Sequence, residues 1–210
     1  MIRGRSPLGR VFAVVAIAGA CALALAAEQW DKQWYWKDVP YVPTPQLVVD
    51  AMLDLAGVTK ADVVYDLGSG DGRIVITAAA SYGARGVGIE HHPRLVERSR
   101  QQALEAGVDA LATFRREDLF ESDFREATVV TMYLTPRFMK KLSPYLLEQL
   151  EPGTRIVAHK YKIPGWTPVR KVKARGRPVY LYVIEPERPW ALDEAGAGPV
   201  SVGGSAPRTF

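Results

Sequence analysis

Apolar positions along the chain change their period several times, and each change predicts an element. Residues 11–27 are an uncharged run, mostly Ala, Val and Leu. Pro40, Pro43 and Pro45 then rule out a helix or central strand. From Gln46 to Ala56 the apolar residues at 47, 48, 52, 53 and 55 share one helical face. Thr44 is the expected cap of that helix, Pro45 opens its first turn and Gly57 stops it. Beyond it, short apolar runs at 63–67, 85–90, 112–115, 128–134 and 154–161 predict strands. Helical segments at 72–82, 93–106 and 136–150 separate them, which predicts a doubly wound α/β domain with a mostly parallel sheet. Residues 169–174 and 178–185 alternate around Arg175-Gly176 and predict a closing antiparallel hairpin, giving seven strands.

These elements divide the chain. Residues 1–27 are a signal peptide or membrane anchor, 28–60 a pre-domain segment, 61–190 the α/β domain and 191–210 a tail expected to be disordered. The 210 residues suffice for one domain with a good core. The net charge of +4 is misleading, because Arg3, Arg5 and Arg10 precede the first apolar run. Beyond residue 27 there are 24 basic against 23 acidic side chains, so no nucleic-acid footprint is expected. Cys21 is the only cysteine, so a disulfide within the chain is excluded. His91, His92 and His159 lack metal-ligand spacing, and no metal is expected.

The basic start and apolar run predict an amino end in the cytoplasm and a domain facing outward, periplasmic if residues 1–27 are cleaved; the alternative is a segment that lies on or in the membrane without exporting the domain. Trp30, Trp34, Tyr35 and Trp36 follow directly. They fit either a membrane-interface belt or a lid packed on the domain.

The chemistry concentrates where the first strand ends. Asp66-Leu-Gly-Ser-Gly-Asp-Gly72 is a strand end, a glycine-rich turn and a helix start. Its spacing is G-x-G-x-G, not the G-x-G-x-x-G of dinucleotide sites. Asp66 and Asp71 flank it. Carboxylates repel a pyrophosphate and attract a cation, so the turn favours S-adenosylmethionine, which carries a sulfonium and an ammonium and no phosphate. Gly68, Ser69, Gly70 and Gly72 let backbone approach that ligand. Glu90, 20 residues after Gly70 at the second strand's end, is placed to accept ribose hydroxyls. Asp118 follows the third strand and is a candidate acceptor for the adenine amino group, with Leu119 against the ring. The alternatives are a solvated strand-end glutamate for Glu90 and a helix cap or surface acid for Asp118. His91 and His92 border the adenosine. A cofactor made in the cytoplasm favours the amino-terminal segment that does not export the domain.

The chain resembles the class I S-adenosylmethionine-dependent methyltransferases. Val42-Pro-Thr-Pro45, Val64 through Ile74, Gly88-Ile-Glu90, Asp118-Leu-Phe120, Thr131-Met-Tyr-Leu134 and Pro152-Gly-Thr-Arg155 together resemble one subfamily. It holds the lysine methyltransferases of the ATP synthase c-subunit and the adenine nucleotide translocase, with bacterial members. The resemblance spans roughly residues 38 to 168 and implies a Rossmann-like fold and a membrane-associated protein substrate. It also departs from the family at 135–140, which lacks the asparagine usual there. Arg137 or Lys140 then act otherwise, or the target differs.

On this basis Tyr133, at the end of the fourth strand, is expected beside the transferable methyl, and His159 in the fifth strand is a candidate base. The alternatives are a packed tyrosine and a satisfied buried histidine. Tyr41 and Thr44 are expected to close over the methionine end, or to form a structural turn. The function expected is protein-lysine N-methylation. The alternatives are small-molecule methylation and cofactor binding without turnover.

Overall fold

The computed structural model describes residues 41–186. The predicted leader, aromatic cluster and carboxyl-terminal tail therefore lie outside the described residues. Among those described, no helix is long and apolar enough to cross a membrane.

The elements are α1 (Gln46–Ala56), β1 (Val63–Leu67), α2 (Arg73–Tyr82), β2 (Arg85–Glu90), α3 (Pro93–Glu105), β3 (Ala112–Arg116) and β4 (Val129–Met132). Then come α4 (Pro136–Gln149), β5 (Arg155–His159), β6 (Arg170–Ala174) and β7 (Arg177–Val183). They form one seven-stranded sheet in the order β3-β2-β1-β4-β5-β7-β6. The first five of these are parallel, while β7 runs antiparallel to β5 and to β6. The predicted sheet and its closing hairpin are present.

Alternation along the strands sorts side chains to two faces. Val64, Val129, Val157 and Val179 join α1 and α2 in one core. Tyr65, Val130, Ile156 and Tyr182 join α4 in the other. Layers of helix therefore cover both faces, which is why the central strands are buried and apolar. Helical cover is incomplete in one place. Residues 117–128 carry the chain from β3 to β4 without a helix, and Leu119 and Phe124 fill the gap from this irregular segment.

Helix ends follow local chemistry. Thr135 Oγ1 accepts from Phe138 N at 3.4 Å and Pro136 opens α4. Gly57 ends α1 in the left-handed conformation at φ 62°. Thr44 departs from expectation. The N-cap of α1 is Pro45, without a side-chain cap bond, and the Thr44 hydroxyl lies 3.4 Å from His159 Nδ1 instead. Residues 41–60 also do not stand apart from the domain. Val48, Val49, Met52 and Leu53 of α1 are fully buried in the core shared with β5 and β7.

Two strands are shorter than their apolar runs. β4 ends at Met132 and β5 at His159. Tyr133, Leu134, Lys160 and Tyr161 therefore sit in turns at the carboxyl edge of the sheet, where side chains can face a ligand.

Candidate active site

The chain leaves β1 toward β2 on one side and returns to β4 on the other. Such a reversal opens a crevice at the carboxyl ends of the strands. A cleft lies there. Asp66, Gly68, Ser69, Gly70 and Asp71 line it from the β1 end, and Glu90, His91 and His92 from the β2 end. Tyr133 and Leu134 supply the β4 side, and residues 41–44 cross the opening as a strap.

The loop after β1 is held close to β2. Gly68 N and Ser69 N both donate to Ile89 O at 2.9 Å. Gly70 lies at φ 57°, and a Cβ there would meet the Tyr41 ring at 2.7 Å. The glycine thus lets the strap lie on the loop. Ser69 Oγ is buried and has no hydrogen-bond partner.

Three acids meet at this loop with different fates. Asp66 is 2% exposed and accepts from Thr131 Oγ1 at 2.7 Å. Burial pushes its carboxyl up to about 7; the Thr131 bond opposes this, and the charges of Glu90 and Asp71 add to it. Asp71 is also buried but is paired. Arg73 Nε and Nη2 donate to its two oxygens at 2.9 and 2.6 Å. Burial would raise Asp71, yet hydrogen bonds from Arg73 and Tyr41, with the Arg73 charge, hold it below the usual carboxylate range. Arg73 Nη1 also donates to Thr44 O at 2.8 Å, tying the strap to α2. Asp71 is therefore neutralised by Arg73 and does not offer its charge to a cation as the motif predicts.

Glu90 accepts from Gly70 N at 3.0 Å and from His92 N at 2.8 Å. One carboxylate thus orders both the glycine loop and the start of α3, and each oxygen keeps a lone pair for a ligand hydroxyl.

Tyr133 is half-buried. Its ring packs against His159, with centroids 4.1 Å apart. His159 is fully buried and its Nε2 has no partner. Desolvation, aided by the charges of Arg177 and Lys160, lowers its pKa to about 4. It is neutral at pH 7 and supports Tyr133 and Thr44 from behind.

An open loop, an orphaned serine hydroxyl and a strand-end glutamate fit a nucleoside-bearing ligand, and the unneutralised Asp66 fits a cationic one. The pattern of the ANTKMT methyltransferase domain matches residues 66–170. The chain belongs to the ANTKMT methyltransferase family. It is 43% identical to a protein-lysine N-methyltransferase of Saccharolobus islandicus over 71% of this chain and 96% of that one. It is 38% identical to the mouse lysine N-methyltransferase of the ATP synthase c-subunit over 62% of this chain and 52% of that one. The chain thus spans about half of the mouse enzyme. Among solved structures, an RNA methyltransferase of Salinibacter ruber in complex with S-adenosyl-L-homocysteine is 57% identical. It covers 73% of this chain and all of its own, with a TM-score of 0.71. The methyltransferase uses S-adenosylmethionine, and its fold is that of the class I enzymes.

The cleft of this family member brings together most of the residues singled out from sequence: Tyr41, Thr44, Asp66, Gly68, Ser69, Gly70, Glu90, His91 and Tyr133. Four others lie elsewhere. Gly72 packs beneath β3 and α3, where a Cβ would meet the Phe114 ring at 2.6 Å and Ser99 Cβ at 2.8 Å. Asp118 accepts from Phe120 N at 2.9 Å in a turn. Leu119 is fully buried in the core around α4. His159 lies behind Tyr133, and its low pKa makes it a poor base at neutral pH. Reasoning from sequence missed Arg73, Thr131 and Leu134. The signal for Arg73 was present, as a basic residue two positions after a loop acid.

Proposed function

We propose that this methyltransferase modifies the ε-amine of lysine in a membrane-associated protein. The observation that carries the acceptor is the 43% identity across 96% of an archaeal relative named as a protein-lysine N-methyltransferase. The apolar run 11–27 carries the membrane. The cleft supports an amine acceptor, because Tyr133 presents both a ring and a hydroxyl at its edge.

S-adenosylmethionine, when bound, supplies an electrophilic methyl on a sulfonium whose thioether is the leaving group. Gly68 and Gly70 keep the loop open to it, Ser69 and Glu90 offer polar partners, and Asp66 offers negative charge. A lysine must lose its proton to solvent first, because an ammonium has no lone pair. The Tyr133 ring walls the acceptor side of the cleft, and its hydroxyl orients the nitrogen. Neutral His159 holds the ring in place and does not take the proton.

A second reading has its own support. The Salinibacter neighbour is described as an RNA methyltransferase, and Lys171, Lys173, Arg175 and Arg177 are exposed on the hairpin. The near-even charge beyond residue 27 weighs against RNA.

The two are separated by supplying the full chain with methyl-labelled cofactor and with protein and RNA from the source cell. Protease-sensitive label, released as methyllysine and absent with Glu90→Ala, is the expected result. Ribonuclease-sensitive label would sink the lysine proposal, and label in small molecules would replace it with small-molecule methylation.

A further inference from the structure

Beside the cleft, Lys160 holds a conformation rare for a side-chain-bearing residue. Its φ is 69°, and Tyr161 N donates to His159 O across it at 2.8 Å, closing a γ-turn. Lys160 N is anchored to Pro178 O at 2.7 Å. Left-handed backbone at a lysine is strained, and such strain gathers at ligand sites. Its effect here is specific. It ends β5 and puts Lys160 and Tyr161 next to Tyr133.

The two tyrosines then flank one cation. Their ring centroids are 6.4 Å apart, with planes 28° from parallel. Lys160 Nζ lies 5.0 Å from the Tyr161 centroid and 5.9 Å from the Tyr133 centroid. It also donates to the Tyr133 hydroxyl at 3.5 Å. Aromatic faces at this range attract alkylammonium groups. The Lys160 side chain is exposed, so it can leave without breaking a core. Tyr133 is at the same time a wall of the cofactor cleft, which sets the cation at the edge where methyl transfer occurs.

We propose that Tyr133 and Tyr161 form the subsite for the acceptor's ε-ammonium, and that Lys160 occupies it until an acceptor lysine displaces it. This rests on the lysine reading above. Tyr161 and Lys160 thereby become specificity-determining residues. The charged form of Lys160 is favoured by hydrogen bonds to Tyr161 and Tyr133, as an ammonium site requires.

The test uses the full chain loaded with S-adenosylhomocysteine and the probe Nα-acetyl-lysine methylamide, followed by tyrosine ring signals in NMR. Lys160→Ala should tighten probe binding about three- to fivefold by removing the competitor, with the affinity for S-adenosylhomocysteine unchanged. Adding Tyr161→Ala should lose that gain, and Tyr161→Phe should keep most of it, because the ring supplies the attraction. In kinetics, Lys160→Ala should lower KM for a lysine peptide. Probe affinity indifferent to Lys160 or to Tyr161, or equal binding of the norleucine analogue, would overturn the subsite. Probe binding that follows the two rings, in an enzyme that methylates RNA and no lysine peptide, would keep the cation subsite and remove the lysine reading.

Discussion

Asp66, Asp71 and Glu90 show how little a residue's type says about its charge at work. All three lie in or beside one motif. Asp71 is neutralised by Arg73, Glu90 is spread over two backbone donors, and Asp66 alone keeps a raised carboxyl at about 7. The free protein favours protonated Asp66, so its contribution to stability is full below the unfolded value of 3.8 and is lost as pH rises through about 7. A cationic ligand has the opposite preference and must expel that proton at lower pH. Calorimetry should therefore show S-adenosylhomocysteine, through its ammonium, binding more tightly as pH rises from about 5 to about 8, with a proton released on binding below about 7. Asp66→Asn should flatten this dependence, and a slope unchanged in that variant would place the titrating group elsewhere. Glu90 was legible from its 20-residue distance to Gly70. The structure adds that it bonds that glycine's own N–H, so Glu90→Ala should weaken cofactor binding by about 1–3 kcal/mol with the sheet retained. Unchanged affinity for S-adenosylhomocysteine by titration would refute it.

At the level of elements, hydrophobic periodicity located every helix and strand among the described residues, because burial of one face imposes its period. What it missed were ends. The run 128–134 stays apolar after β4 stops at Met132, since Leu134 is buried from a loop rather than a ladder, and the segment 154–161 overruns β5 by the exposed Lys160 and the partly buried Tyr161. Gly72 is a related case. Its motif position marks it as a ligand contact, yet its missing side chain makes room for Phe114 and Ser99 between α2, α3 and β3. Gly72→Ala should cost stability by about 1–3 kcal/mol through overpacking, beyond the left-handed strain. Gly107, at φ 66° with nothing within 4 Å of an added Cβ, supplies the control. Gly107→Ala should cost about 1–2 kcal/mol from strain alone. Equal losses for the two in urea denaturation would remove the packing role of Gly72.

For the molecule as a whole, burying His159 links the strap to global stability. It must stay neutral among Tyr133, Thr44 and the sheet. Its folded pKa of about 4 lies below the ordinary 6.5, so the unfolded chain takes up a proton first as pH falls. Stability should decline from pH 6.5 toward 4 on this account, while protonation of Asp66 opposes it. His159→Gln should shrink the drop in Tm between about pH 7 and about pH 5; an unaltered drop would show that other groups carry it.

The sequence by itself determined the alternation of strand and helix, the glycine-rich loop and the strand-end Glu90, because these depend on residues close in the chain and on a period that burial enforces. Only the tertiary structure decided which acid is paired and which is driven toward its protonated form, that Thr44 and His159 meet across 115 positions, and that Lys160 and Tyr161 gather beside Tyr133 at the edge of the cleft. Each of those depends on which distant element supplies a partner or excludes water, and the local pattern holds no record of either.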